Sequence, residues 1–158
     1  MALCRSEAPN SMFKIVDEPI DATALGEMVR SDADGAVCIF LGVARKFSRG
    51  REVVHLEYEA YPEMAEKKLA EIGDEIKVKF GAERVAILHR TGVLKIGEAS
   101  VGIAIATPHR GESFQACQYA IDRLKQIVPI WKKEVWASGE QWIGWEGQAP
   151  TDLAAPKA

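Results

Sequence analysis

Three groups of basic residues stand out in this sequence, each placed where a strand or a helix is expected to begin or end. The first is Arg45, which directly follows the apolar segment GAVCIFLG and precedes Lys46, Arg49 and Arg51 in a stretch containing Gly and Ser. On composition alone, this stretch is most simply a solvated flexible loop. The alternative is a mobile arm that closes over a bound anion, since guanidinium groups bind phosphate through paired hydrogen bonds.

The second group is the pair His109 and Arg110 in the segment PHRG, between an apolar strand and the start of a helix. Backbone N–H groups and the positive end of the helix dipole favour an anion at such a position. His109 could also donate a hydrogen bond or exchange a proton near neutral pH. The alternative, that His109 only caps or packs, stays equally open. A similar pair, His89 and Arg90, also ends a strand, and there a structural turn is favoured.

The third group is a pair of lysines on either side of a proline in the segment LKQIVPIWKKE. Lys125 lies four residues after Ile121, about 40° from it around the helix, so it borders the apolar face. Lys132 follows Pro129 on an extended piece beside Trp131. A partly desolvated lysine tends to a lowered pKa and can act as an acid, base or nucleophile. The alternative is that each lysine only snorkels to solvent, and the two hypotheses are evenly balanced.

Many common site types are missing from the sequence. It contains no GxGxxG, Walker, GxSxG or HExxH motif, and its cysteines, Cys4, Cys38 and Cys117, show no metal-ligand spacing. No metal site and no cofactor are therefore expected, and unpaired cysteines favour a reduced, cytoplasmic setting. A net charge of −3 does not indicate a nucleic-acid partner. No apolar run approaches the roughly 18 residues of a membrane span, and the N-terminus does not resemble a signal peptide.

These residues must be positioned by strands and helices that alternate along the chain. Residues 1–11 are expected to form a loose extension, residues 12–146 a single domain and residues 147–158 a flexible tail. The pattern predicts the order β-α-β-β-α-β-β-α-β-β, which favours an α+β sandwich with a mostly antiparallel or mixed sheet. The continuous apolar run at residues 35–41 predicts a strand that is buried on both faces.

Two strong helices are predicted by the spacing of their apolar residues. The first begins near Pro62 and places one apolar stripe on a helix face at Ala65, Leu69, Ile72 and Ile76. The second ends at Pro129, and its predicted stripe consists of Phe114, Cys117, Ile121, Leu124 and Val128. Cys38 and Cys117 are thus expected to be buried, where a thiol is a poor nucleophile.

Five segments, taken in order, resemble one known family. They are FLGVAR, LEYEAYPEMAEKKL, ILHRTGVLKIGE, TPHRGESFQACQYAIDRLKQIVPIWKKE and WIGW. Together they are similar to the catalytic (large) subunits of molybdopterin synthase, the MoaE family, over residues 12–145. The most specific part is VPIWKKE at the end of a helix that follows PHR.

The resemblance implies an α/β hammerhead-type fold and a homodimer that binds a small ubiquitin-like sulfur carrier (MoaD-type) at each end, giving a heterotetramer. The carrier's C-terminal Gly-Gly thiocarboxylate would enter a pocket. Two sulfurs would be transferred in turn to cyclic pyranopterin monophosphate, making molybdopterin for the molybdenum cofactor. By matched motif, Lys125 and Lys132 would be the active-site lysines. Arg45, His109 and Arg110 would bind the substrate anion, and the His-Arg pair would reach across the dimer interface. The chain departs from some members at Glu146, where they carry a basic residue.

Two other hypotheses are compatible with the residues alone. In one, the chain is a non-catalytic binding module whose lysines dock an acidic partner tail. In the other, it is a different phosphoryl- or nucleotide-processing enzyme that uses His109 as an acid or base. Product formation from a thiocarboxylated carrier and the cyclic pterin would distinguish the family hypothesis from both.

Overall fold

The computed structural model of the chain describes residues 12–144, which form three helices and nine strands. In order, these are β1 (Phe13–Val16), α1 (Ala22–Val29), β2 (Ala36–Val43), β3 (Phe47–Ser48), β4 (Arg51–Ala60), α2 (Pro62–Phe80), β5 (Arg84–Arg90), β6 (Gly92–Lys95), β7 (Ala99–Thr107), α3 (Arg110–Ile127), β8 (Ile130–Trp136) and β9 (Gly139–Ile143). The predicted order is confirmed except for the two short strands β3 and β6, which the sequence pattern did not indicate. The expectations for residues 1–11 and for the tail, including Cys4 and Glu146, lie outside the described residues.

The strands form two sheets. The first has the order β1-β5-β7-β2, in which only β1 and β5 run parallel. The second has the order β3-β4-β8-β9, with β6 also paired to β4, and is antiparallel throughout. The predicted fold class, a single α+β domain with mixed and antiparallel sheets, is therefore confirmed.

The helices cover the two faces of the first sheet unequally. The apolar faces of α2 and α3 pack on one face, where Leu69, Ile72 and Ile76 of α2 are fully buried against β5 and β7. The shorter helix α1 covers the other face with Leu25 and Val29. The side chain of Asp21 caps the N-terminus of α1 by accepting hydrogen bonds from backbone N–H groups. None of the helices in the described residues is long and apolar enough to cross a membrane.

The prediction that residues 35–41 are buried on both faces is wrong. This segment lies in β2, the edge strand of the first sheet, and its residues alternate between half-buried and exposed. Val37, Ile39, Leu41 and Val43 are the exposed members. An apolar run does not distinguish a strand in the middle of a sheet from an edge strand with one uncovered face. The strand that this domain itself covers on both faces is β7.

The predicted apolar stripe of α3 is also partly wrong. Phe114 is 64% exposed, whereas the residues that face the core include Ser113, Ala116 and Ala120. Small side chains occupy the contact because α3 packs closely on both the first sheet and α2. The buried face of α3 therefore consists partly of small residues, which the spacing of large apolar side chains does not reveal.

Candidate active site

A cavity of about 570 Å³ lies where the C-terminal end of α3 meets both sheets. This volume falls within the range of about 300–1,000 Å³ that is usual for small-molecule sites. Apolar side chains from β2, β4, β7 and α3 form much of its wall, among them Phe40, Leu56, Val101 and Leu124. The cavity has the size and the apolar wall of a small-molecule site, and its polar residues determine which ligand it can bind.

Among residues 12–144, four cationic side chains and one carboxylate line this cavity. The cations are Arg45, Arg49, Lys125 and Lys132, and the carboxylate is Glu134. This excess of positive charge in a partly apolar cavity favours an anionic ligand, because the attraction between opposite charges is stronger where there is less water. The sequence analysis singled out three of these residues, Arg45, Lys125 and Lys132, and the structure brings those three together.

Lys132 reaches the cavity because of the register between β4 and β8. It is the cross-strand partner of Tyr58, and Glu134 is the partner of Leu56, so these four side chains share one face of the second sheet. Burial lowers the pKa of Lys132 below its usual value, and the positive charges of Lys125, Arg45 and Arg49 act in the same direction, while Glu134 opposes them. Lys132 is therefore the cavity residue best suited to exchange a proton.

The next residue, Lys133, lies on the other face of the second sheet, where acidic side chains surround it. Its ammonium group makes ion pairs with Glu57 and Glu140 and lies 5.3 Å from the centre of the Trp142 ring. The hydrogen bond to Glu57 holds the pKa of Lys133 above its ordinary value. Two adjacent lysines of the same sequence motif thus differ in environment because strand alternation turns only one of them toward the cavity.

Glu134 connects Lys132 to the hairpin formed by β3 and β4. Its carboxylate is 6% exposed, accepts a hydrogen bond of 2.9 Å from the Ser48 hydroxyl and lies 3.7 Å from the Lys132 ammonium. A buried carboxylate needs such partners. Glu134 therefore positions Lys132 and the hairpin relative to one another.

Arg49 lies in the turn of a hairpin, whereas Arg45 lies in the short irregular segment before it. Phe47 and Ser48 pair with Glu52 and Arg51, and the turn between them has positive φ values at Arg49 (50°) and Gly50 (76°). Two consecutive positive φ values are typical of the tight turns that match strand twist. Both arginines are exposed and line the rim of the cavity.

Lys125 lies in the last turn of α3 at the rim of the cavity. Its side chain is exposed, so the partial desolvation that the sequence predicted for it is not found. The reason is that α3 ends two residues later and no neighbouring element covers that face of its last turn. The desolvated lysine of the pair is Lys132.

His109 and Arg110 do not line this cavity. His109 is the N-cap residue of α3 without a side-chain capping bond, and Arg110 is the first residue of that helix. Both are exposed. Arg110 and Lys125 are separated by fifteen helical residues, about 22 Å along one helix at 1.5 Å per residue. Within a single chain, therefore, the two ends of α3 cannot serve the same small-molecule site.

The sequence analysis missed an uncharged polar group in the cavity, which consists of His89, Tyr58 and Ser100. His89 lies within β5 and is buried, so the structural turn favoured for it is not found. Its Nδ1 donates a hydrogen bond of 3.0 Å to the backbone carbonyl of Arg90, and burial lowers its pKa to about 4. The available signal was a histidine directly after the apolar residues VAIL, where a strand-end side chain can face a cleft.

The two cysteines in the described residues lie apart from the cavity lining. Cys117 is buried, its thiol is 3.7 Å from the carbonyl oxygen of Cys38, and burial raises the pKa of that thiol. Cys38 is half-buried against the main core. Among residues 12–144, no cluster of three or more His, Cys, Asp or Glu residues is arranged to hold a metal ion.

Comparisons with known proteins place these features in context. The profile of the family described as MoaE protein matches residues 15–127. The molybdopterin synthase catalytic subunit of Bacillus subtilis is 50% identical over 132 residues, covering 84% of each chain. The crystal structure of molybdopterin synthase from Staphylococcus aureus is 48% identical with a TM-score of 0.81, over 84% of this chain and 97% of that one. A complex of subunits 1 and 2 of the molybdopterin-converting factor from Helicobacter pylori, 21% identical over 80% of this chain and 86% of that one, shares the fold with a TM-score of 0.67.

Proposed function

The chain belongs to the MoaE protein family, and on that premise we propose that the cationic cavity is where a cyclic pterin phosphate receives its sulfur. The function is that of a molybdopterin synthase catalytic subunit, a sulfur-transferring enzyme of molybdenum cofactor biosynthesis. The substrate is cyclic pyranopterin monophosphate. The catalytic domain spans residues 12–146, of which the structure describes those up to 144.

One observation carries this proposal: Lys132 has a lowered pKa among three other cations in a cavity of small-molecule size. Arg45 and Arg49 supply the planar donors that suit phosphate oxygens. Opening a cyclic phosphate ester and expelling water from the pterin side chain both require a proton to reach the leaving oxygen. Lys132 and Lys125 are the groups placed to deliver it, and the surrounding positive charge stabilises the anion that develops.

The sulfur arrives on a partner. A small ubiquitin-like carrier (MoaD-type) inserts its C-terminal Gly-Gly thiocarboxylate into the cavity, where its negative charge meets the same cations. The Helicobacter pylori relative was crystallised as a complex of two subunits, which supports a two-subunit assembly. The reaction takes place in the cytoplasm, where free thiols such as those of Cys38 and Cys117 stay reduced.

A second copy of the chain completes the assembly. In the described residues, β2 pairs only with β7, so its other edge is open, and its exposed side chains are the apolar Val37, Ile39, Leu41 and Val43. An exposed apolar edge strand is normally covered by another chain. Phe114, one helical turn after Arg110, is a further exposed apolar side chain. We place the homodimer contact here, so that His109 and Arg110 enter the neighbour's site, and a carrier at each end gives a heterotetramer.

Reconstitution tests the proposed function. The purified chain, mixed with a thiocarboxylated carrier and cyclic pyranopterin monophosphate, is expected to make molybdopterin, detected as its fluorescent oxidised derivative. Omission of the carrier, or use of the carrier with an ordinary carboxylate, is expected to give none. A chain that binds the carrier but makes no product would instead be a binding module. Turnover of a phosphate ester without any carrier would favour the phosphoryl-processing alternative.

Replacement of all three cysteines is expected to leave sulfur transfer largely intact. The thiols of Cys38 and Cys117 lie outside the cavity lining, and a buried thiol is a poor nucleophile. The variant Cys4→Ser, Cys38→Ala, Cys117→Ala should keep its turnover number within about threefold, although the truncations in the core lower its stability by roughly 1–3 kcal/mol. Turnover and thermal unfolding of the variant check this. A persulfide trapped on Cys38 or Cys117 by mass spectrometry during turnover would contradict it.

A further inference from the structure

We propose that His89 is a ligand-binding residue whose Nε2 accepts a hydrogen bond from an N–H group on the heterocycle of the bound substrate. It would thereby define an uncharged end of the cavity, beside the cations. This inference rests on the proposed function and deepens it, because it names the part of the substrate that the uncharged end recognises.

The protonation of the His89 ring is determined by its neighbour in the chain. Nδ1 lies 3.0 Å from the backbone carbonyl oxygen of Arg90. A carbonyl oxygen only accepts, so Nδ1 must carry the hydrogen. In the neutral ring the other nitrogen, Nε2, is then an acceptor with no hydrogen of its own. Burial keeps the ring neutral at physiological pH, since it lowers the pKa to about 4.

The Nε2 acceptor has no protein donor among the described residues. The side chain is 4% exposed, and its one hydrogen bond there is that from Nδ1. Nε2 is not fully enclosed by protein, and because the ring lines the cavity we place its accessible side there. An acceptor with so little access to water gains from a donor on a bound molecule. A donor on the ligand would satisfy it.

The surroundings of His89 are uncharged. The Tyr58 ring packs edge-on against the imidazole with centroids 5.1 Å apart. The Ser100 hydroxyl donates to the carbonyl of Gly42 at 3.2 Å, and it also hydrogen-bonds the Tyr58 phenol, whose pKa is raised by burial. Both hydroxyls are therefore engaged within the protein. The imidazole nitrogen is the unengaged acceptor of this group.

The uncharged end lies next to the cationic end. Tyr58 is the cross-strand partner of Lys132, so a single side chain separates His89 from the lysine. A ligand that places a phosphate among the cations and extends a fused ring past Tyr58 would reach His89. A reduced pterin carries several ring N–H donors and an amino group, so most edges of the ring system present a donor to a neutral acceptor. Methylation or loss of the donor would leave Nε2 unpaired, which gives the cavity a means of selecting its substrate.

Binding measurements on two variants of the intact chain test this inference. His89→Leu removes the acceptor, whereas His89→Gln returns one through its side-chain carbonyl. His89→Leu is expected to weaken binding of cyclic pyranopterin monophosphate, and to raise its KM, by about tenfold or more. For His89→Gln, both values are expected to lie within about threefold of wild type. The kcat at saturation should change much less. Affinity for the thiocarboxylated carrier should stay unchanged.

Inorganic phosphate serves as the probe for the other end of the cavity. Its inhibition constant should be the same in wild type and in both His89 variants, and should rise in Arg45→Ala. A pterin methylated at its ring nitrogens should bind the wild-type chain more weakly than unmethylated pterin, a comparison that needs no variant to fold.

The outcomes separate this inference from the function on which it rests. If the wild-type chain does not bind the cyclic pterin at all, the proposed function fails and the inference with it. If the wild type binds and turns over the pterin, but His89→Leu binds it equally well or the methylated pterin binds as tightly, the inference is overturned and the function stands. Failure of Gln to rescue would assign His89 a packing role. Loss of carrier affinity alone would place the donor on the carrier's tail and contradict the substrate assignment.

Discussion

Lys132→Ala is expected to lower the turnover number in the reconstituted assay by at least about 10²-fold, the scale of losing a proton-transfer group. The cavity holds Lys132 half-buried, with a pKa lowered by burial and by the nearby cations. Truncation would also leave the buried carboxylate of Glu134 without its ion-pair partner. The fold should nevertheless survive, because Ser48 still donates a hydrogen bond to that carboxylate.

The adjacent residue provides a matched control. Lys133→Ala removes the same functional group one residue further along β8, but on the opposite face of the sheet. Its turnover number should stay within about threefold of wild type, since Lys133 lies outside the cavity lining and its partly buried ion pairs with Glu57 and Glu140 contribute to local stability. Near-wild-type turnover of Lys132→Ala, or equal losses for both variants, would contradict the assignment of Lys132 to the chemistry.

Complementation between two inactive variants is expected to restore activity. Lys125 and Arg110 lie at opposite ends of α3, about 22 Å apart, so they contribute to one site only if that site draws on two chains. Lys125→Ala and Arg110→Ala homodimers should each be strongly impaired. Random mixing makes half of the dimers mixed, each with one intact site of two, which predicts roughly one quarter of wild-type activity.

The mixture must first be shown to contain mixed dimers, for example by a differential affinity tag on each variant. A control pair whose two changes fall on the same site, Lys125→Ala with Lys132→Ala, should show no recovery. Verified Lys125→Ala/Arg110→Ala heterodimers without activity would show that each site is built within a single chain. In that case the exposed position of His109 and Arg110 would need another explanation.

Local sequence patterns predicted the elements that depend mainly on neighbours in the chain. The helix α2 followed from Pro62 and an apolar stripe. The edge strand β2 was assigned too much burial, because an apolar run does not distinguish an edge strand from a central one. Phe114 was placed in the core because the small residues that α3 buries give no apolar signal.

The candidate site shows the same division. Arg45, Lys125 and Lys132 were found because basic residues at the ends of strands and helices are visible in the sequence. Their differing environments were not visible. Whether Lys132 or Lys133 faces the cavity depends on the register of β8 against β4, which is set by long-range pairing. The position of His89 beside Tyr58 at the cavity depends on a contact between the two sheets that no local pattern encodes.

Sulfur labelling tests the central claim most directly. The purified chain is incubated with cyclic pyranopterin monophosphate and a carrier whose thiocarboxylate contains ³⁴S, and the product is analysed by mass spectrometry. Wild type is expected to form molybdopterin in which both dithiolene sulfurs carry the label. Lys132→Ala is expected to form none. Product whose sulfur is unlabelled, or no product from a wild-type chain that binds both carrier and pterin, would contradict it.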